Sequence, residues 1–218
     1  MGREDARAAA REEANGASAE NGAPRRRAGL DDRVILRAAE EIADQEGLER
    51  LSLARLAERL GVRPPSLYNH VAGLEDVRRG LALAGARALA GRLARAAVGK
   101  PGPEGVRAIG EAYRAFAREH PGLYAALQRA PAPDDAALIA ASEDIMAILR
   151  AALAPWGLDE AAQVHAIRTL RSLAHGFVSL EAAGGFGMPY DLEESYEYAL
   201  ALFIAGLARD GAEASAGH

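Results

Sequence analysis

Helical periodicity is the feature that most constrains the fold. After Leu30, apolar residues recur at intervals of three and four positions in nearly every segment of the chain. This spacing places them on one face of an α-helix. No segment alternates apolar and polar residues over a length sufficient for a strand, and no internal repeat is present. The sequence therefore predicts an all-α fold.

Capping residues and helix breakers divide this pattern into individual helices. An Asp (Asp31 or Asp32) precedes the first segment, Ser52 precedes the second, and a glycine follows each, as is typical of helix ends. Prolines and Gly184–Gly185 separate the later segments. The other predicted helices span Arg63 to His70, Gly73 to about Val98, and residues near 103–119, 121–129, 134–154, 159–183 and 191–209.

Charge is distributed unevenly along the 218 residues. The chain as a whole carries a net charge of -5, which argues against a polyanionic partner. Residues 25–100, however, hold 15 basic and 10 acidic side chains, a net of +5. Residues 101–218 hold 8 basic and 16 acidic side chains, a net of -8. A basic segment attached to an acidic remainder indicates that nucleic acid binds to the first of these parts.

Within the basic part, residues 52–71 have the pattern of a helix-turn-helix. Two short helical segments are separated by Leu60-Gly61-Val62, and Gly61 permits the tight turn between them. Leu56 and Leu67 are among the residues that can bury one face against the first helix. The opposite face presents Arg63, Ser66, Asn69 and His70, whose groups can hydrogen-bond in a major groove.

Residues 31–82 resemble the DNA-binding domain of TetR-type transcriptional regulators. The string Leu56-Ala57-Glu58-Arg59-Leu60-Gly61-Val62 matches the family's turn, and Ser66-Leu67-Tyr68-Asn69-His70-Val71 matches the end of its recognition helix. The resemblance implies a repressor that binds a palindromic double-stranded DNA operator as a homodimer and is released by a small-molecule effector.

The resemblance also implies roles for particular residues. Ser52 would cap a helix and touch a phosphate, and Tyr68 and His70 would anchor the phosphate backbone. Two positions depart from the family: Leu74 replaces a usual Lys, and Ala54 replaces a base-reading Arg, for which Arg55 is a substitute. Tyr68 is equally well explained as a partly buried core residue. The residues expected at base edges are Arg63, Pro64, Ser66 and Asn69.

These features predict four regions: an extension over residues 1–28, disordered or partly helical, the DNA-binding domain at 29–75, a helical regulatory and dimerisation domain at 76–210, and a disordered tail at 211–218. The extension ends in Arg25-Arg26-Arg27. This triplet is either an arm that reaches DNA or a solvated charge run, and the sequence supports both interpretations equally.

A dimer is expected, because one DNA-binding domain alone contacts too few base pairs for selectivity. The last two long helices are its predicted interface. Their apolar positions are alternatively explained as core within one chain. Residues 173–187 partly resemble the regulatory domain of a TetR subgroup with a Trp-x-His-Gly signature, although Arg171 occupies roughly the place of its aromatic residue. The predicted interface residues are Ile167, Leu170, Phe177, Leu200, Phe203, Ile204 and Leu207.

Aromatic residues make up only 5% of the chain, yet several lie between Tyr113 and Phe177. Together with nearby apolar residues they are candidates to line an effector cavity, and each is also explicable as core. His165 and His175 point in directions about 80° apart, which is weak evidence for a metal site. A hydrophobic or aromatic effector is expected. The candidate ligand-binding residues are Tyr113, Phe116, Tyr124, Leu127, Met146, Leu149, Trp156, His165 and His175.

Several classes of protein are excluded or disfavoured. The chain has 0 Cys, which excludes disulfide scaffolds, Cys-based zinc sites and thiol catalysis. It has no phosphate-binding glycine loop with a Lys and no HExxH pair, so we expect neither an enzyme nor a cofactor or metal. No membrane span is predicted, and a cytoplasmic location is expected. An all-α adaptor without a DNA role remains the alternative.

Overall fold

The computed structural model describes residues 30–216, with side chains through residue 208. Nine α-helices and two short 3₁₀ turns form this part of the chain, which contains no strand. The prediction of an all-α fold is confirmed. None of the described helices is long and apolar enough to cross a membrane. The helices are α1 (Asp32–Glu46), α2 (Leu53–Leu60), α3 (Pro64–Leu67), α4 (Leu74–Ala97), α5 (Pro103–Glu119), α6 (Pro121–Ala126), α7 (Ala136–Leu153), α8 (Glu160–Ala182) and α9 (Leu192–Ala216).

The first two helices form as their capping residues predict. Asp31 Oδ1 accepts a hydrogen bond of 2.8 Å from the backbone N–H of Val34, which satisfies a donor in the first turn of α1. Ser52 Oγ accepts from the N–H of Arg55 at 3.1 Å at the start of α2. Gly61 ends α2 with φ of 65°, in the left-handed region that favours glycine.

Helix α4 is buried along most of its length and packs against α5, α6 and α7. Its first half buries Val77 and Leu81, and its second half buries Leu89 and Leu93. Between them, Gly85 lies so close to α6 that a Cβ would come within 2.9 Å of the carbonyl oxygen of Leu123. Helix α4 therefore belongs to both the predicted DNA-binding domain and the predicted regulatory domain.

Helix α6 contacts α1 through Gly122. Its backbone N–H donates to Asp44 Oδ1 at 2.7 Å. A Cβ at this position would lie 2.5 Å from the Cβ and the carbonyl carbon of Ala43, so only glycine permits this approach. The contact is a second connection, besides α4, between the predicted domains.

A buried arginine joins α5, α8 and α9. Arg114 donates two hydrogen bonds of 2.9 Å to Glu181 and a third of 2.7 Å to Glu193. Its guanidinium carbon lies 5.1 Å from the ring centroids of both Phe177 and Tyr196. These carboxylates and aromatic faces compensate the charge for its loss of water. Hydrogen bonds from Arg114 hold the pKa of Glu181 below its ordinary value.

Most predicted helix bounds agree with the structure to within two residues, and the differences lie at chain turns. The third helix is regular only over Pro64–Leu67, and Tyr68–His70 form a turn instead of its last turn. Helix α6 ends at Ala126 instead of residue 129, and the chain turns over residues 127–129. Helix α9 extends to Ala216, beyond the predicted boundary at 210. The extension over residues 1–28, with Arg25–Arg27, lies outside the described residues.

Replacement of Arg114 by alanine is expected to lower the free energy of unfolding by about 3–5 kcal/mol, because it leaves Glu181 half-buried without its partner. Arg92→Ala is the matched control. It breaks a bidentate pair with the exposed Glu119 and should cost about 1 kcal/mol or less. Urea unfolding at pH 7 measures both values. Equal losses in the two variants would contradict the role of Arg114.

The stabilisation by Arg114 should also depend on pH. Because the pKa of Glu181 is lowered in the folded protein, the stabilisation is present above its ordinary value of 4.5 and is lost as pH falls through the folded-state pKa. The difference in unfolding free energy between wild type and Arg114→Ala should therefore shrink as pH falls from 7 toward 3. A difference that grows on acidification would be inconsistent with this ion pair.

Candidate functional site

The helix-turn-helix is held by backbone hydrogen bonds around Gly61. The N–H groups of Gly61 and Val62 donate to Glu58 and Ala57 at 3.1 and 3.0 Å, which closes the end of α2. Helix α3 then begins with Pro64–Pro65, whose missing N–H groups cost nothing in a first helical turn. Leu67 is buried, so the other face of α3 points away from the core.

The predicted base-reading surface lies on that other face. Arg63, Pro64 and Asn69 are exposed, and Ser66 is half-buried. Tyr68 is 61% exposed, so it is not a core residue, which was the alternative left open by the sequence. His70 is half-buried, and its Nδ1 lies 3.5 Å from Asp32 Oδ1.

Two predicted DNA contacts are engaged within the protein. Ser52 serves as the cap of α2. Arg55 donates to both carboxylate oxygens of Glu46 and to Glu58, and these hydrogen bonds raise the pKa of its guanidinium. Arg55 would have to give up these bonds in order to reach a base. Sequence reasoning missed Glu46 because it lies nine residues away, on another helix.

The start of α4 differs from a favourable phosphate site. Leu74 occupies the first helical position, and Glu75 and Asp76 lie in the first turn. Asp76 Oδ2 accepts a hydrogen bond of 3.1 Å from the N–H of Ala72, just before the helix. These carboxylates compete with a phosphate for the positive end of the helix dipole. Contacts with the phosphate backbone of DNA therefore remain a prediction for Tyr68 and His70.

An apolar cavity of about 220 Å³ lies between α4, α5, α7 and α8. Four of the candidate ligand-binding residues line it: Tyr113, Leu127, Met146 and Leu149. Most other lining groups are aliphatic, among them Leu89. The cavity has the mixture of apolar walls and few polar groups that is typical of small-molecule sites.

The other five candidates lie outside the cavity lining. Phe116 is buried in the core, and Trp156 lies in a 3₁₀ turn. His165 is exposed on α8. The Tyr113 hydroxyl donates to that of Tyr124 at 3.3 Å, and the Tyr124 oxygen lies 2.5 Å from His175 Nδ1. Tyr124 and His175 thus lie behind the cavity wall, where burial raises the pKa of Tyr124.

Sequence reasoning missed the two charged residues of the cavity, Arg129 and Arg171. Both are exposed and mark its open side. Arg171 Nη2 donates to the carbonyl oxygen of Gln128 at 3.2 Å and lies 3.4 Å from Gln128 Oε1, so it contacts the residue that precedes Arg129. The signal was present in the sequence, because Arg171 occupies roughly the place of the aromatic residue in the related subgroup.

The residues predicted at a dimer interface divide into two groups. Ile167 and Leu170 line the cavity, and Leu200 and Leu207 are also buried, so all four pack within the protomer. Phe177 packs on Phe186 and Tyr196, whereas Phe203 and Ile204 are half-buried. The large apolar side chains that α8 and α9 expose are Leu180, Tyr198 and Leu202.

One group of side chains has the composition of a metal site. Glu40 and Asp44 on α1 lie near His120, whose Nδ1 is 3.9 Å from an oxygen of each. Asp44 also accepts the hydrogen bond from Gly122. Among residues 30–208, these three side chains form the group that could hold a cation. Nothing in their arrangement requires a cation to be bound there.

Known proteins share both parts of this architecture. Residues 35–72 match the tetR family of bacterial regulatory proteins, and residues 106–203 match the tetracyclin repressor-like C-terminal domain. The HTH-type transcriptional regulator YobS of Bacillus subtilis (strain 168) is 39% identical over 83% of this chain and 94% of its own length.

Solved structures agree with these matches. A protein of unknown function from Rhodococcus sp. RHA1 is 26% identical, with a TM-score of 0.66 over 81% of this chain and 94% of its own. A TetR variant from Acinetobacter baumannii AYE in complex with minocycline shares the fold at 22% identity, with a TM-score of 0.62 over 84% of this chain and 98% of its own. The chain belongs to the TetR family of transcriptional regulators.

Proposed function

We propose that this regulator is a repressor that binds a palindromic operator as a homodimer and releases it when a small molecule occupies the cavity. The observation that carries the proposal is the surface formed by Arg63, Pro64 and Asn69, which are exposed, and the half-buried Ser66, all of which follow the left-handed turn at Gly61. Its hydrogen-bonding groups suit the edges of bases in a major groove. The proposed location is the cytoplasm, where bacterial DNA lies, and no catalytic activity is proposed.

Exposed apolar side chains on the last two helices support the homodimer. Leu180 is 51% exposed on α8, and Tyr198 and Leu202 are 68% and 57% exposed on α9. Tyr198 and Leu202 are four positions apart and therefore share one face of α9. Large exposed apolar groups on one face are typical of a surface that another protein covers. A second copy would also supply the second DNA-binding domain that a palindromic operator requires.

The contacts of α4 support coupling between ligand binding and DNA binding. Ala86, Leu89 and Leu93 of α4 line the cavity, while Val77 and Leu81 of the same helix are buried nearer the DNA-binding helices. A ligand that binds one arrangement of α4 more tightly shifts the population toward it. A coupling of about 1–3 kcal/mol is typical and would lower operator affinity by roughly 5- to 150-fold.

Two substitutions separate base reading from backbone anchoring. Asn69→Ala should change operator preference, because the amide reads a base edge. Tyr68→Phe should weaken binding to all sequences alike, because it removes a hydroxyl from a phosphate contact. Each should cost about 1–3 kcal/mol for a direct contact, measured by gel shift on the operator and on scrambled DNA.

The adaptor alternative predicts a different outcome. An all-α adaptor would show none of the steep loss of DNA affinity with salt that release of counterions from phosphates produces. Undiminished operator affinity in both the Asn69→Ala and the Tyr68→Phe proteins would refute the assigned interface.

Leu202→Glu should convert the homodimer to monomers, because it places a charge in the proposed apolar interface. Light scattering at micromolar concentration measures the change in mass. Ile139→Glu is the matched control, since Ile139 is also an exposed aliphatic residue, at 38%, but lies on α7. A dimer that survives Leu202→Glu, or a wild-type protein that is already monomeric, would contradict the interface.

A further inference from the structure

We propose that the cavity binds an amphipathic monoanion, with an apolar chain or ring inside and a carboxylate at the open side beside Arg129 and Arg171. This inference rests on the proposed function, because it names the chemical class of the effector. It goes beyond the expectation of a merely hydrophobic ligand.

The inner wall of the cavity restricts the body of the ligand to apolar groups. Aliphatic side chains from four helices line it, including Leu93, Ile109, Ile145 and Ile167. An engineered apolar cavity of about 150 Å³ holds benzene, so the volume of about 220 Å³ found here suits a body of about eight carbon atoms. Such a site gains affinity from removal of apolar surface from water.

The two neutral polar side chains of the wall already have partners. The Tyr113 hydroxyl donates to Tyr124, and Ser142 Oγ donates to the carbonyl oxygen of Leu138 at 2.8 Å. Neither donor is directed to the ligand in this arrangement. Recognition of a polar head group therefore falls to the charged residues at the open side, where Arg171 uses only Nη2 for Gln128 and keeps further N–H donors.

Those charged residues are both cationic. Arg129 and Arg171 line the open side, and no Asp or Glu belongs to the lining among the described residues. Guanidinium groups bind carboxylates through paired, charge-assisted hydrogen bonds. They disfavour an ammonium group at the same place.

The open side of the cavity carries positive charge, whereas the segment that contains it is acidic. Residues 101–218 carry a net charge of -8, which does not attract anions at long range. A carboxylate must therefore be held by contacts at the cavity itself. This makes single substitutions of the arginines informative.

The test uses three probes that differ only in the head group: octanoate, octanol and octylamine. Isothermal titration of the full chain should give octanoate an affinity at least about ten times that of octanol, with octylamine weakest. Arg171→Gln and Arg129→Gln should each weaken octanoate about tenfold and leave octanol unchanged. Arg168→Gln is the matched control, because Arg168 is exposed on the same helix but absent from the cavity lining.

The same protein preparations are titrated onto operator DNA without and with each probe. The inference is overturned if octanol binds as tightly as octanoate, if none of the probes binds, or if Arg171→Gln behaves like Arg168→Gln. Release of DNA by octanol alone would overturn the inference and leave the proposed function standing. Failure of the ligand-free chain to bind operator DNA would instead refute the proposed function, whatever the probes do.

Discussion

The architecture depends on the burial of α4, because this one helix is packed at both of its ends. Small residues make the packing possible. Gly85 allows the backbone of α6 to approach closely, and Ala86 and Ala90 on the same helix are also buried. A helix packed on several sides moves as a unit, since close-packed side chains transmit displacement instead of absorbing it. The DNA-binding helices and the cavity are thus attached to one rigid element.

Two kinds of arginine serve different purposes in the regulatory part. Arg114 is buried between two carboxylates and two aromatic rings, and it fixes α5, α8 and α9 relative to one another. Arg129 and Arg171 are exposed at the open side of the cavity. The first kind stabilises the fold, whereas the second kind is proposed to bind the carboxylate of the effector. The acidic composition of residues 101–218 conceals this difference.

Interactions between residues close in sequence made the fold and the helix-turn-helix predictable. The first two helix starts follow from Asp31 and Ser52, and the turn follows from Gly61, because each acts on backbone groups within a few positions. Arg55 was less predictable, since its partner Glu46 lies on another helix. The same holds for Arg114 and Glu181, which are 67 positions apart.

The cavity was predicted only in part, for a physical reason. Aromatic residues were taken as its markers, but Phe116 and Tyr124 are large enough to be needed in the core. The space that remains is lined mainly by aliphatic groups, whose sequence pattern is the same in a core and in a cavity. Arg171 was visible as an unusual residue, although its place beside Gln128 depends on tertiary packing.

Whether this chain reads operator DNA can be tested by footprinting the purified protein on the DNA upstream of its own gene. We expect protection of two half-sites whose centres lie about one helical turn, 10–10.5 base pairs, or a multiple of it apart. We also expect that protection declines steeply as salt is raised. Absence of protection at low salt, or protection that salt does not affect, would contradict the claim that this chain reads DNA through residues 63–70.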